Sequence, residues 1–211
     1  MDYDKIVNEI SERGYYILKK YKTKEFCNKV ISEINILQRN LHFLKGEGGD
    51  YRMPNFHKYS KLSNEFLEDK NFLLIGKKLL GHDIDAKSKR CQLGILKCRE
   101  NANSGGGWHV DNHNPQFKSM IYLTDVNQNN GPFAMMYPNL KSNDYPYDPN
   151  RNNTRFTNQI EIDHKDRINL LTGNAGDTIL FLSNNIHRGT NIKEGIRVTM
   201  TNYYYDGIFT K

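Results

Sequence analysis

Apolar residues recur at helical spacing in the first part of the chain and in short strand-like runs in the rest. Phe26, Val30, Ile34, Leu37 and Leu41 lie three or four positions apart, on one face of a helix that Thr23 can cap. Leu62, Phe66, Leu73 and Leu80 outline a second amphipathic helix that stops at Gly81. Ahead of both, "GYYIL" (14–18) is a compact aromatic and β-branched run that reads as a short strand. "GEGGDYRMPN", with three glycines and a proline, separates the two helices.

From Cys91 onward the runs shorten: "CQLGILKC", "FKSMIYLTDV", "PFAMMY", "QIEID", "DTILFL" and "IRVTMTNYYY", divided by turn residues, read as strands of an antiparallel β unit. Between the second and third of these, "NQNNGP" resembles a hairpin connection in which Gly131 can take a positive φ. Residues 140–158 form a long polar stretch, and a lid over a site is expected there. The fold expected is mainly β with flanking helices. It forms one domain over 1–211, with a largely helical part (1–89) packed on a β core (90–205).

Composition narrows the setting. A chain of 211 residues, 37% hydrophobic and 26% charged, can bury one proper core, and no run approaches the roughly eighteen apolar residues of a membrane span. "MDYDKIVNEI" is not a secretory leader, so a cytoplasmic location is expected, where Cys27, Cys91 and Cys98 stay reduced. The net charge of +6 and pI near 9.1 favour anionic partners. The lysines are scattered along presumed helix faces, which favours a small anionic molecule over nucleic acid.

The chemistry lies in "GGGWHVDNH" and "NNIHRGT". In extended backbone, side chains two positions apart share a face, so His109 and Asp111 project together. His187 follows the run "DTILFL", where an antiparallel barrel can return it beside them. Two imidazoles and a carboxylate on one side of an octahedral ion leave three positions open, the arrangement of non-haem iron(II) oxygenases. Arg197, Thr199 and Thr201 share one face of the last strand, and a guanidinium fork with a hydroxyl two residues on suits a carboxylate. His109 and His113 have the spacing of a helical zinc pair, but Val110 stands where that motif needs glutamate, and three preceding glycines oppose a helix. A non-catalytic cupin-like barrel that binds metal or ligand remains the alternative. A basic nucleic-acid-binding domain would leave the His-x-Asp spacing unexplained.

Taken together and in order, "GWHVD", "YLTDVNQNNGPF", "GNAGDTILF", "IHRG" and "GIRVTMTNYY" resemble the phytanoyl-CoA dioxygenase-like family of iron(II)- and 2-oxoglutarate-dependent oxygenases, over residues 90–205. "ERGYYIL" and the helix after it resemble that family's opening. The resemblance implies a double-stranded β-helix, a jelly-roll of the cupin-like kind, with helices outside. It implies iron(II) on His109, Asp111 and His187, and 2-oxoglutarate as cosubstrate with its far carboxylate on Arg197. Thr199 and Tyr122 are further candidates for cosubstrate contact. Trp108, His113, Arg52 and Arg155 are candidates for substrate contact. The implied reaction consumes O2, releases succinate and carbon dioxide, and hydroxylates or desaturates a small molecule. Related halogenases lack the carboxylate that Asp111 supplies. Around Pro138 the chain reads "MMYPNLK" where family members commonly read proline-glycine-serine-histidine, a departure that bears on substrate contacts.

Overall fold

The computed structural model describes residues 1–37, 43–136, 148 and 154–205. Helix α1 (Tyr3–Arg13) starts where the Asp2 side chain accepts from the Lys5 amide and ends at Gly14, whose φ of +85° only glycine adopts freely. Strand β1 (Tyr15–Leu18) follows, then α2 (Lys24–Leu37), with Cys27, Val30 and Ile34 buried as their spacing predicts. Leu41 lies outside the described residues. Strand β2 (Leu44–Lys45) directly precedes the glycine-rich interval and β3 (Tyr51–Met53) lies within it, where no hydrophobic alternation betrays a strand.

The second predicted helix is two helices, α3 (Lys61–Leu67) and α4 (Lys70–Leu80). Ser60 caps the first and Asp69 the second, accepting from the Asn71 amide, so a new N-terminus interrupts a hydrophobic pattern that runs on unchanged. Gly81 closes α4 as expected, at a φ of +80°.

The β part comprises β4 (Lys89–Lys97), β5 (Phe117–Tyr122), β6 (Phe133–Met136), β7 (Ile168–Leu171), β8 (Thr178–Leu182), β9 (His187–Gly189) and β10 (Ile196–Tyr204). They form two sheets, ordered β1-β8-β5-β10-β4-β3-β2 and β7-β6-β9, and every pairing is antiparallel. Two facing antiparallel sheets with helices outside make the expected jelly-roll.

Two local expectations fail. "QIEID" is helix α5 (Gln159–Asp163): Ile160 is buried while Ile162 is 72% exposed, a separation that a strand, which puts i and i+2 on one face, would not allow. "NQNNGP" is not a hairpin, because β5 lies in the large sheet and β6 in the small one, so this turn carries the chain between sheets. Gly131 has a φ of +67°, as expected, and a Cβ there would stand 2.9 Å from the Thr190 carbonyl oxygen. The lid expected at 140–158 lies mostly outside the described residues.

Alternation sorts the large sheet into two faces. Its outer face carries Cys91, Leu93, Ile95, Phe117, Ile121, Leu180, Val198, Met200 and Tyr204 into a core shared with the helices. At Gly76 of α4 an added Cβ would stand 3.0 Å from the Phe117 ring, so this helix and β5 are in direct contact. The inner face divides again. Toward β1 and β8 it is apolar, with Tyr15, Met120, Ile179 and Phe181 meeting Phe133 and Met135 of the small sheet. Toward β10, β4 and β3 it is polar and opens into a cavity. Among the described residues, no helix is long and apolar enough to cross a membrane.

Candidate metal centre

His109 lies in isolated antiparallel bridges with His187 and Arg155 rather than in a regular strand. The His109 amide donates to the His187 carbonyl at 3.0 Å and the His187 amide returns the bond at 2.9 Å. The Asp111 amide donates to the Ser183 carbonyl at 3.0 Å, which fixes the residue two positions on. Residues 78 positions apart thus face one another, with imidazole centroids 4.4 Å apart. Gly105, at a φ of +91°, makes room for the first ring: a Cβ there would stand 2.4 Å from His109 Cε1.

Each ring is oriented from behind. His109 Nδ1 lies 2.8 Å from the Gly107 carbonyl and His187 Nδ1 2.7 Å from that of Asn185. A carbonyl only accepts, so Nδ1 carries the proton and each Nε2 keeps its lone pair. His109 Nε2 stands 3.7 Å from Asp111 Oδ1, and His187 Nε2 3.6 Å from Oδ2. One ligand atom from each residue lies within 4.8 Å of the others. Asp111 is on the open side, with 29% of its side chain exposed against 8% and 4% for the histidines.

Electrostatics match a cation site. Burial holds the His109 pKa well below the ordinary imidazole value, helped by the neighbouring His187, and burial likewise lowers that of His187. Burial alone would raise the Asp111 carboxyl, yet Lys118 and the two imidazoles hold it far below the usual carboxylate range. Two neutral donors and one anion therefore stand ready at neutral pH, and these residues fit a divalent metal with nitrogen and oxygen preferences.

Around this group the cavity is lined by Arg197 and Thr199, as the face-sharing on β10 predicts, and by Thr201 and Arg52. Arg197 is 5% exposed and donates to the Gly131 carbonyl. Burial lowers its pKa, with Tyr122 and Asp50 pulling the other way. Arg52 is bound to Asp50 at 2.7 Å.

Four other candidates stand away from the cavity wall. The Tyr122 hydroxyl is occupied, donating to the Leu171 carbonyl at 2.6 Å and accepting from the Phe133 amide at 3.0 Å, and burial pushes its pKa up to about 12. Trp108 is buried beside Val110, Phe156 and Ile160, its indole donating to Glu161 at 3.1 Å. Arg155 pairs with Glu47 at 3.2 Å. His113 is exposed.

Lys118 escaped the sequence reading. It is 3% exposed, lies on β5 and forms an ion pair with Asp111. Its signal was available: Lys118, Met120 and Tyr122 share a face, and a lysine inside a wholly buried strand needs an anion. Asp50, Gln92 and Tyr203 also line the cavity and were not among the candidates, although Tyr203 lies within "GIRVTMTNYY" on the face shared by Arg197 and Thr199.

No protein-family model matches the chain, and neither does any curated protein sequence. Solved structures do. The epimerase SnoN, in complex with Fe3+, alpha ketoglutarate and nogalamycin RO, superposes with a TM-score of 0.75 at 15% identity, over 97% of this chain and 83% of its own. A Pseudomonas putida prolyl-4-hydroxylase gives 0.67 at 12% identity, over 97% and 99%. HygX from Streptomyces hygroscopicus, with nickel, 2-oxoglutarate and hygromycin B bound, gives 0.64 at 13% identity, over 95% and 86%. At such identities the likeness shows the fold, a jelly-roll core with outer helices.

Proposed function

We propose that this chain is a non-haem iron(II)- and 2-oxoglutarate-dependent dioxygenase that hydroxylates a small molecule. The observation that carries the reading is the convergence of two unprotonated Nε2 atoms and one carboxylate on a cavity whose polar wall also holds the buried Arg197. SnoN with Fe3+ and alpha ketoglutarate, and HygX with nickel and 2-oxoglutarate, support it through a shared fold. The motif order favours the phytanoyl-CoA dioxygenase-like branch of such enzymes, with residues 1–211 acting as one domain. Three free cysteines fit a cytoplasmic setting.

In this reading His109, Asp111 and His187 hold iron(II) from one side, and their carbonyl-bound Nδ1 atoms keep the rings in place. Iron(II) and 2-oxoglutarate together supply the reduction of O2, with release of succinate and carbon dioxide. Arg197, on the cavity wall, would receive the far carboxylate of the cosubstrate, with the Thr199 hydroxyl on the same strand face beside it. Phe133 and Phe181, with ring centroids 5.3 and 5.6 Å from that of His187, exclude water from the buried side. Retention of Asp111 favours hydroxylation over halogenation. The basic balance of the chain favours a substrate with a negative group.

Anaerobic addition of iron(II) and then 2-oxoglutarate tests the reading. The expected outcome is a weak visible charge-transfer band in the parent protein that is absent from His109→Ala and Asp111→Ala. A parent protein that binds metal but shows no band would be a non-catalytic metal-binding barrel of the cupin kind.

A further inference from the structure

The inner face of β10 lays out the cavity as a row. Arg197, Thr199, Thr201 and Tyr203 point into it in turn, so Arg197 and Tyr203 stand about 20 Å apart along the strand, at roughly 3.4 Å per residue. Register places each neighbour. Tyr203 pairs with Lys118 on β5, Thr201 with Gln92 on β4, and Thr199 with Gly94, which itself pairs with Arg52 on β3. A Cβ on Gly94 would stand 3.0 Å from Thr199 Oγ1, so this glycine keeps the middle of the row clear. The two ends of the cavity are therefore chemically distinct sites.

The charges at the Lys118 end do not close. Among the described residues the lining carries three cations, Lys118, Arg52 and Arg197, and two carboxylates, Asp50 and Asp111. Asp50 is bound to Arg52 and Arg197 answers the cosubstrate, so Lys118 must share Asp111 with the metal. A cation this buried is costly unless an anion meets it. The surroundings are already ordered. Lys118 Nζ lies 4.1 Å from the Tyr203 ring centroid, and Gln92 Nε2 donates to the Tyr203 hydroxyl at 3.1 Å. The Arg52 guanidinium, anchored by Asp50, lines the same cavity as Lys118, Gln92 and Tyr203.

We propose that the end of the cavity formed by Lys118, Gln92 and Tyr203, with Arg52 on its wall, seats the molecule to be oxidised and selects one bearing an oxyanion, a carboxylate or a phosphate. This deepens the dioxygenase reading and rests on it for the roles of Arg197 and the metal. Lys118 supplies the charge, Gln92 and Tyr203 hold the shape, and Arg52 widens the cationic surface.

Calorimetric titration of protein saturated with manganese(II) and 2-oxoglutarate tests the proposal, with inorganic phosphate in one arm and acetate in the other. Millimolar binding is expected in at least one arm, and the stronger arm identifies a phosphorylated or a carboxylated substrate. Lys118→Met should weaken that binding tenfold or more and Lys118→Arg by less than threefold, which separates the subsite from anions that ligate the metal. The 2-oxoglutarate affinity of Lys118→Met should stay within threefold of the parent. Should Lys118→Met fail to fold, Lys118→Gln and Arg52→Gln are read in the same way. Equal anion binding by the parent and the Lys118 variants, or no anion binding at all, would overturn the proposal. So would a loss of 2-oxoglutarate as complete in Lys118→Met as in Arg197→Met. A parent protein that binds either anion but not 2-oxoglutarate would keep the subsite and overturn the cosubstrate reading instead.

Discussion

The two faces of the large sheet are built from the same strands and do opposite work. On β10, Val198, Met200 and Tyr204 enter the core beneath the helices, while the intervening Arg197, Thr199, Thr201 and Tyr203 line the cavity. On β5, Phe117 stacks on Tyr204 at 5.3 Å on one side, and Lys118 meets Asp111 on the other. The outer face stabilises by burying apolar area. The inner polar face holds charges that cost desolvation and are useful for that reason. Stability and chemistry are thus separated by a period of two residues, and damage to one face should leave the other readable.

The largest expected effect is on the outer face. Phe66 is fully buried there, its ring 5.1 Å from that of Phe72, and Phe66→Ala should cost about 3–5 kcal/mol in urea unfolding. Metal and 2-oxoglutarate affinities of the folded fraction should not change; a parallel loss of both would break the separation. The converse variant, Arg197→Met, should weaken 2-oxoglutarate about a hundredfold, close to 2.7 kcal/mol, while unfolding moves by less than about 1 kcal/mol. Equilibrium dialysis and urea unfolding read the two quantities independently.

The effect that is smallest per step, spread over a pH range, follows from the histidines. Their pKa values are lowered in the folded protein, so the unfolded chain binds more protons once pH falls below about 6.5. The metal-free protein should hold its stability above that pH. Below it, each histidine should cost up to about 1.4 kcal/mol per pH unit until its folded pKa is reached. Thermal melting from pH 7 to pH 5 checks this, and a His109→Gln, His187→Gln double variant should flatten the curve. Asp111, lowered further, acts only below about pH 3.9.

Much of this arrangement was legible before any fold was known, and the misses have a common cause. Period-two alternation on β10 sorted Arg197 and Thr199 from Val198 and Met200, because a strand exposes its faces alternately whatever lies beyond them. "QIEID" misled because five residues are too few for one period to outweigh another: Ile160 and Ile162 fit a strand face, and only the apolar pocket around Trp108 and Phe156 decides for a helix. Tyr122 is a candidate for cosubstrate contact because it lies on a strand, and the sequence could not show that Leu171 and Phe133 occupy its hydroxyl.

Local sequence by itself determined the elements with strong periodicity, the polar stripe of β10, and the spacing that lets His109 and Asp111 act as a pair. It also placed glycine where Gly105 must leave room for a ring and Gly131 must turn the chain between sheets. Only the tertiary structure decided which sheet each strand joins, that the His187 backbone bonds to that of His109, and that the buried Lys118 forms an ion pair with Asp111. The physical reason is range. Capping, alternation and φ preferences act within a few residues, whereas the meeting of residues 7 or 78 positions apart in sequence depends on how two sheets close on one another.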